Sequence, residues 1–134
     1  MILPSLSTLP AFLAYFVGAL ALTAAFLAVY LQVTPWPEFR LIGQGNAAAA
    51  ISLAGAVIGF VMPLASVIAH SAGWLDMIVW GIVALIVQCL VTLVARVVVP
   101  GLALAMETGK VPTAVALATA SLAVGLLNAA CITW

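Results

Sequence analysis

Charge is nearly absent from this chain, and its absence excludes most classes of soluble protein. Among 134 residues, three are Lys or Arg and three are Asp or Glu, so only 4% are charged. An ordinary soluble domain carries about 25% charged residues and needs them to cover its core with polar surface. The composition therefore excludes a cytosolic globular enzyme, a nucleic-acid-binding protein with a basic patch and a disordered chain.

Residues that bind metals or form disulfide bonds are also scarce, with one His and two Cys. In helical spans, Cys89 and Cys131 differ in depth by roughly 15 Å, whereas a disulfide needs Cα atoms within about 7 Å. Neither cysteine has the spacing of a metal site, and the sequence has no nucleophile elbow or phosphate-binding loop. We therefore expect no metal, no cofactor and no enzymatic activity.

Long apolar runs dominate what is present, since 68% of the residues are hydrophobic and the mean hydropathy is +1.43. A bilayer core about 30 Å thick needs about 20 apolar residues in a helix, and the strict alternation of a barrel strand is missing. The sequence predicts an all-α polytopic membrane protein, a single membrane domain over residues 1–134 embedded in the lipid bilayer. The four predicted spans cover residues 10–33, 46–69, 77–99 and 112–134.

Residues at the breaks between the runs suit helix ends. Asn46 and Asp76 are suitable N-caps for the second and third spans, and Pro112 suits the first turn of the fourth. All three carboxylates, Glu38, Asp76 and Glu107, lie in the breaks, so we expect them in loops.

The two halves of the chain align when one is shifted by 64 positions. Gly45 then meets Gly109, and Leu53 meets Leu117. This predicts two parallel two-helix repeats, residues 10–70 and 77–134, related by an axis along the membrane normal.

The three basic residues predict the orientation. Arg40, Arg96 and Lys110 all fall at one side of a four-span chain, and Lys and Arg are retained on the cytoplasmic side. We expect both termini in the periplasm and the two longer loops in the cytoplasm, with Trp36 at the cytoplasmic surface of the membrane.

Polar residues in the spans are the first candidates for a functional site. Gln88 lies near the middle of the third span and is explained either by a helix–helix hydrogen bond or by a polar passage. Asn128 lies in the fourth span and is explained either by close packing with one interhelical hydrogen bond or by a site near the outer surface. Arg96 is explained by a side chain that reaches the headgroups or by an ion pair with Glu38 or Glu107.

Small residues and a proline in the second span predict close packing. Gly55 and Gly59 form a small-xxx-small motif that lets helix backbones approach. Pro63 follows at the same spacing and is expected to kink the helix. The motif is common in membrane helices, so packing is its simplest explanation.

The two longer loops are the candidate docking surface for a cytoplasmic partner. Their charged residues are Glu38, Arg40, Glu107 and Lys110.

The chain resembles the YjfL-type bacterial inner-membrane proteins over nearly its full length. The segment Gly125–Trp134, with Asn128 inside it, is the most specific element of the resemblance. Its other elements are Thr34-Pro35, Glu38, Leu41-Ile42, Asn46-Ala47-Ala48, Gly55, Gly59, Pro63-Leu64, Gln88, Arg96 and Pro100. The resemblance implies a bacterial cytoplasmic membrane, four spans and paired two-helix repeats. It implies no established activity, and the neighbouring genes of such proteins suggest a link to envelope stress.

Three functions stay open from the sequence. The first is a non-enzymatic, homo-oligomeric membrane component that serves as a scaffold. The second is a small oligomeric channel or transporter for ions or small polar solutes, lined by residues such as Gln88 and Asn128. The third is redox sensing by Cys131.

Overall fold

The protein is a bundle of α-helices. The computed structural model describes residues 8–34, 36–70 and 73–132. Four helices are long: α1 (Leu9–Val33), α3 (Ala47–His70), α4 (Trp74–Val98) and α6 (Val111–Cys131). Two are short: α2 (Glu38–Gly43) and α5 (Leu102–Glu107). Each long helix is apolar and long enough to cross a membrane, so the prediction of an all-α, four-span membrane protein is confirmed.

The predicted helix starts are right at two of three positions. Asn46 caps α3, since its Oδ1 accepts the Ala49 N–H at 3.1 Å, and Pro112 lies in the first turn of α6. The N-cap of α4, however, is Gly73 in an extended conformation. Asp76 was therefore wrongly predicted as a cap, because α4 begins earlier and holds it within the first turn. Residues 133 and 134 of the predicted fourth span lie outside the described residues.

The two longer connections contain the short helices α2 and α5 rather than extended loops. These helices begin 64 residues apart, 102 minus 38. Each ends in the same hydrogen-bonded turn, with Asn46 N–H on the Leu41 oxygen and Lys110 N–H on the Ala105 oxygen, both at 2.9 Å. The backbone φ of the turn glycine is +83° at Gly45 and +78° at Gly109. The matching turns support the predicted two-helix repeat, which stays a prediction.

Packing is uneven among the four long helices. The most extensive contact is between α3 and α6, and α4 packs against α3, α1 and α6. In its most apolar stretch, α1 has only 6% of its residues buried, against 44% for α3. The rings of Phe26 and Phe60 stack at 4.6 Å between α1 and α3. A second core cluster lies around Trp36, Leu41 and Met106.

Candidate functional site

The seam between α3 and α6 depends on glycine. A Cβ added to Gly55 would lie 2.6 Å from the Ala118 Cα, and one added to Gly59 would lie 2.5 Å from the Ser121 carbonyl oxygen. The structure thus places both glycines of the predicted motif where they let two backbones meet. Pro63 is buried in the same helix, and α3 continues through it to His70.

Gln88 lies at this seam, on the buried face of α4. Its side-chain Nε2 donates a hydrogen bond of 3.0 Å to the Ser121 carbonyl oxygen. Its Oε1 is buried and has no hydrogen-bond partner. Thr92, one turn further on, donates to the Gln88 carbonyl oxygen at 3.4 Å. The amide therefore joins α4 to α6 and leaves one acceptor unused inside the bundle.

Asn128 lies on α6, where its residue is partly buried. Its Nδ2 is buried without a hydrogen-bond partner. No hydrogen bond joins it to the free Oε1 of Gln88. The structure therefore shows two separate polar groups at these predicted site positions, with no direct link between them.

Arg96 is exposed in the last turn of α4. Its Nη1 donates a hydrogen bond of 3.1 Å to the Val33 carbonyl oxygen at the end of α1. The predicted ion pair between Arg96 and Glu38 is wrong, because both carboxyl oxygens of Glu38 are buried without a partner. Across the described residues, no ion pair joins Arg96 to Glu107 either. The Arg96 guanidinium instead donates a hydrogen bond to a carbonyl oxygen in the last turn of α1.

Glu38 is the main departure from the sequence prediction. It begins α2, is 1% exposed, and neither carboxyl oxygen makes a hydrogen bond. Burial raises the pKa of Glu38 to about 7, although the nearby polar groups of Trp36, Tyr30 and Thr34 act to lower it. These groups are close to the carboxyl, but none meets it with the geometry of a hydrogen bond.

The prediction that Glu38 lies in an exposed docking loop is therefore wrong. The connection after α1 folds back over the bundle end, so that Trp36 joins the apolar cluster with Leu41 and Met106. Trp36 is itself buried, at 2% exposed, and its position at the cytoplasmic surface of the membrane stays a prediction. A sequence signal existed, because the position 64 residues after Glu38 is Leu102, which is also buried.

The other three predicted docking residues do lie on the surface. Arg40, Glu107 and Lys110 are exposed. Glu107 lines a polar depression of about 410 Å³ between the two turns, together with Gln44 and Thr108. Arg40 and Lys110 are each the sequence neighbour of a lining residue, Leu41 and Gly109. The two turns therefore share one end of the bundle.

A side-chain hydrogen bond holds these turns together. Asn46 Nδ2 donates to the Met106 carbonyl oxygen at 2.7 Å, while its Oδ1 caps α3 through the Ala49 N–H. The side chain of Asn46 thus links the connection that contains α2 to the connection that contains α5.

An apolar hollow in the structure was not found by sequence reasoning. It is a cavity of about 830 Å³ that opens to the outside of the bundle between α4 and α6. We call it the apolar groove, and its lining includes Leu90, Val94, Val98, Leu102, Ala116 and Val124. Such a groove offers shape and an apolar surface, with Thr113 as a polar residue in its lining.

The described side chains of the bundle offer proton uptake and hydrogen bonding. Glu38 can gain or lose a proton near neutral pH, given its raised pKa. Among the described side chains, no group of three or more His, Cys, Asp or Glu residues comes together to hold a metal ion. Cys131 is exposed as a free thiol, and Cys89 is buried.

Comparison with known proteins identifies relatives without an assigned activity. The model of the family DUF350, described as a domain of unknown function, matches residues 4–132. The UPF0719 inner membrane protein YjfL of Escherichia coli K12 is 36% identical over 129 residues, covering 96% of this chain and 98% of the relative. The YjfL protein of E. coli O157:H7 matches equally well. No solved structure matches the chain.

Proposed function

The chain belongs to the DUF350 family, and we propose that it is a non-enzymatic component of the bacterial inner membrane that works as a homo-oligomer. Its named relatives are inner membrane proteins, and its four long apolar helices fit a multi-pass protein of that membrane. Both the lack of enzymatic activity and the association of copies of the chain are part of this proposal.

The observation that carries this proposal is the contrast between a closed interior and an open exterior. The α3–α6 seam brings backbones together at Gly55 and Gly59, which leaves little room for a passage there. The apolar groove, by contrast, opens outward between α4 and α6. A surface of this kind suits helix packing between copies better than chemistry within one copy.

Mass measurement in lipid tests the oligomer. Protein extracted directly into lipid nanodiscs and weighed by native mass spectrometry is expected to give multiples of the 13.7 kDa chain. A folded protein that stays a single chain over a range of protein-to-lipid ratios contradicts the proposal.

The charged end of the bundle supports a scaffold role. Arg40, Glu107 and Lys110 are exposed, and Glu107 lines the polar depression, where a cytoplasmic partner can dock, including one that responds to envelope stress. Photo-cross-linking from position 40 is expected to capture a partner, and the charge reversal Lys110→Glu is expected to reduce the capture. An equal yield from position 75 at the opposite end, where Leu75 is 70% exposed, contradicts docking at these loops.

The same charges carry the proposed orientation, with both termini in the periplasm. Arg40, Arg96 and Lys110 lie on or beside the helix ends that meet at the two turns. Basic residues near span ends favour the cytoplasm. A fused alkaline phosphatase at the carboxyl end is expected to be active, and a fusion that is active only as a cytoplasmic reporter overturns the orientation.

A second candidate function is passage or sensing of protons or small ions. The buried carboxyl of Glu38 favours it, because both of its oxygens lack partners. Gln88, Thr92 and Ser121 add further buried polar groups inside the bundle. A charged carboxylate in such a place is costly unless it binds a proton or a cation.

Liposomes with an imposed pH gradient test this candidate. Wild-type protein is expected to dissipate the gradient faster than Glu38→Gln, while Glu107→Gln, which changes an exposed carboxylate, is expected to behave as wild type. Equal rates for all three proteins and for empty liposomes remove the candidate.

A further inference from the structure

The apolar groove has a counterpart elsewhere in the same chain. We define the counterpart of a residue as the one 64 positions away, the spacing of the matching helices α2 and α5. The counterparts of the six groove residues named above lie on α1, at its C-cap, on α2 and on α3, and all are buried. They are Phe26, Tyr30, Thr34, Glu38, Ser52 and Phe60.

Helix α4 is what covers this first groove. It packs against both α1 and α3. A Cβ added to Gly81 of α4 would lie 2.8 Å from Leu22 of α1 and 3.5 Å from Leu64 of α3. The buried face of α4 consists of Met77, Gly81, Ala84, Gln88, Cys89 and Thr92.

Among the described residues, nothing covers the matching face of α1. The counterparts of the six buried α4 residues are all exposed. They are Leu13, Val17, Leu20, Ala24, Ala25 and Ala28. One copy therefore has an unfilled groove in its second half and an uncovered helix face in its first half.

In the contact between α4 and the first groove, small side chains on the helix are matched by large side chains in the groove. The α4 face is small at Gly81 and Ala84. The groove that receives it is filled by the large rings of Phe26 and Phe60, which belong to the same core cluster as Ala84.

On the two uncovered surfaces, the α1 face and the apolar groove, this size relation is reversed. Two surfaces that fit each other require such a reversal on both sides. At the same positions the α1 face carries the larger Val17 and Leu20, which are 60% and 55% exposed. The apolar groove carries the smaller Leu90 and Val124 in place of the two rings. Larger residues on the helix thus meet smaller residues in the groove, which preserves the total volume of a close-packed contact.

Between the contact within the chain and the two uncovered surfaces, the polarity of the helix face and the polarity of the groove change together. In the contact within the chain, Thr92 of α4 lies beside Tyr30 of the first groove. Their counterparts are Ala28 on α1 and Val94 in the apolar groove, both exposed. At this position a polar helix residue meets a polar groove residue, and the two free surfaces offer an apolar residue on each side.

We propose that the apolar groove binds helix α1 of a second copy of this chain, in the way that α4 binds the first groove. The proposal refines the oligomer of the proposed function and rests on it. Each copy contributes a groove to one neighbour and a helix to another, so the contact is head-to-tail. Lipid tails are the competing occupant, since they are as apolar as the groove.

The proposed contact predicts specific neighbours. Because Gly81 lies beside Leu22 within the chain, the counterparts Val17 of one copy and Ile86 of the next are expected to touch. Within one copy these two positions lie about ten residues apart along parallel helices, or about 15 Å. Both side chains are exposed and therefore accessible to a cross-linker.

Cysteine cross-linking between differently tagged copies tests the contact in native membrane vesicles. A Val17→Cys chain and an Ile86→Cys chain, each also carrying Cys89→Ala and Cys131→Ser, are co-expressed. A cross-linked heterodimer is expected from the mixture, with little product from either chain alone. A chain with both cysteines is expected to give trimers and larger products, because every copy has both surfaces.

A matched control replaces Ile86→Cys by Leu127→Cys, which is 65% exposed on α6 and outside the groove lining. Products from Val17 with Leu127 equal to those with Ile86 overturn the proposal. Products from single-cysteine chains alone indicate a symmetric interface and overturn it while keeping the oligomer. A single-chain mass in nanodiscs removes the oligomer of the proposed function as well.

Filling the groove gives an independent readout. Val124→Trp is expected to lower the oligomer yield at least fivefold, and Val115→Trp on the opposite side of α6 is expected to leave it unchanged. An unchanged oligomer in Val124→Trp, with normal helix content, shows that lipid rather than a second copy fills the groove.

Discussion

The two short helices α2 and α5 have the same length and end in the same turn, yet they begin with opposite chemistry. Glu38 begins α2 and Leu102 begins α5, and the two side chains are 1% and 4% exposed. In the first half of the molecule the buried position holds an acid next to Tyr30 and Trp36. In the second half it lines an apolar groove. One backbone can therefore enclose a polar site or present an apolar surface, and the side chains decide which.

The largest expected effect tests the seam that separates these halves. Gly59 faces Ser121 at the closest approach of α3 and α6, whereas its counterpart Ala123 is exposed. Gly59→Leu is expected to lower the free energy of unfolding by at least about 3 kcal/mol, since it overpacks a backbone contact. Thermal unfolding in detergent, followed by circular dichroism, measures the loss.

Ala123→Leu is the control on the other side of the comparison. The added atoms face the outside of the bundle, so the change is expected to stay within about 0.5 kcal/mol. Equal losses in the two variants mean that the α3–α6 seam is not where the bundle is tightest.

The second effect concerns the acid that only the first half carries. Its pKa is raised from 4.5 to about 7 in the folded protein, so the folded state binds more protons than the unfolded state between these values. Stability is therefore full below about pH 4.5 and falls as the pH rises through about 7, by about 3 kcal/mol in total. Unfolding measured from pH 4 to pH 8 is expected to show this decline.

Glu38→Leu gives the first half the residue of the second and is expected to remove the decline. Glu38→Gln is expected to do the same with less change in shape. Glu107→Gln, at an exposed site, is expected to retain the wild-type dependence. A pH profile that is identical in wild type and Glu38→Gln shows that the carboxyl is not buried as the structure has it.

Much of the fold was predictable because the membrane imposes it. Runs of about 20 apolar residues must form helices in lipid, and the cap at Asn46 and the proline at 112 mark helix starts by local chemistry. The misplaced start of α4 shows the limit. Gly73 adopts an extended conformation that any residue can take, so local sequence gave no strong signal there.

The site was less predictable because burial in a connection depends on distant segments. Glu38 was expected to be exposed since charged residues between spans usually are, but Leu41 and Met106 pack around the neighbouring Trp36. The apolar groove was missed for a related reason. Its lining comes from three helices, α4, α5 and α6, and whether another helix covers it is a tertiary property.

A third and smaller effect distinguishes the two turns. Asn46 caps α3 and also bonds to Met106, while its counterpart Lys110 makes no side-chain cap bond on α6. Asn46→Ala is expected to cost about 1–2 kcal/mol of stability. Lys110→Ala is expected to change it by less than about 0.5 kcal/mol. Chemical denaturation of both variants in the same detergent compares them, and equal costs would mean that the two turns are held in the same way.

The smallest expected effect lies at the ends of α1 and α4. Arg96 donates to the Val33 carbonyl oxygen from an exposed position, and its counterpart is Gln32, which is also exposed. Arg96→Gln gives the second half the residue of the first, and the loss is expected to stay below about 1 kcal/mol because water or headgroups can replace an exposed donor. Arg40→Gln, also at an exposed site, is the matched control. A loss well above that of the control means that the bond to Val33 holds α1 against α4, and α1 would then depend on this bond rather than on its own small buried area.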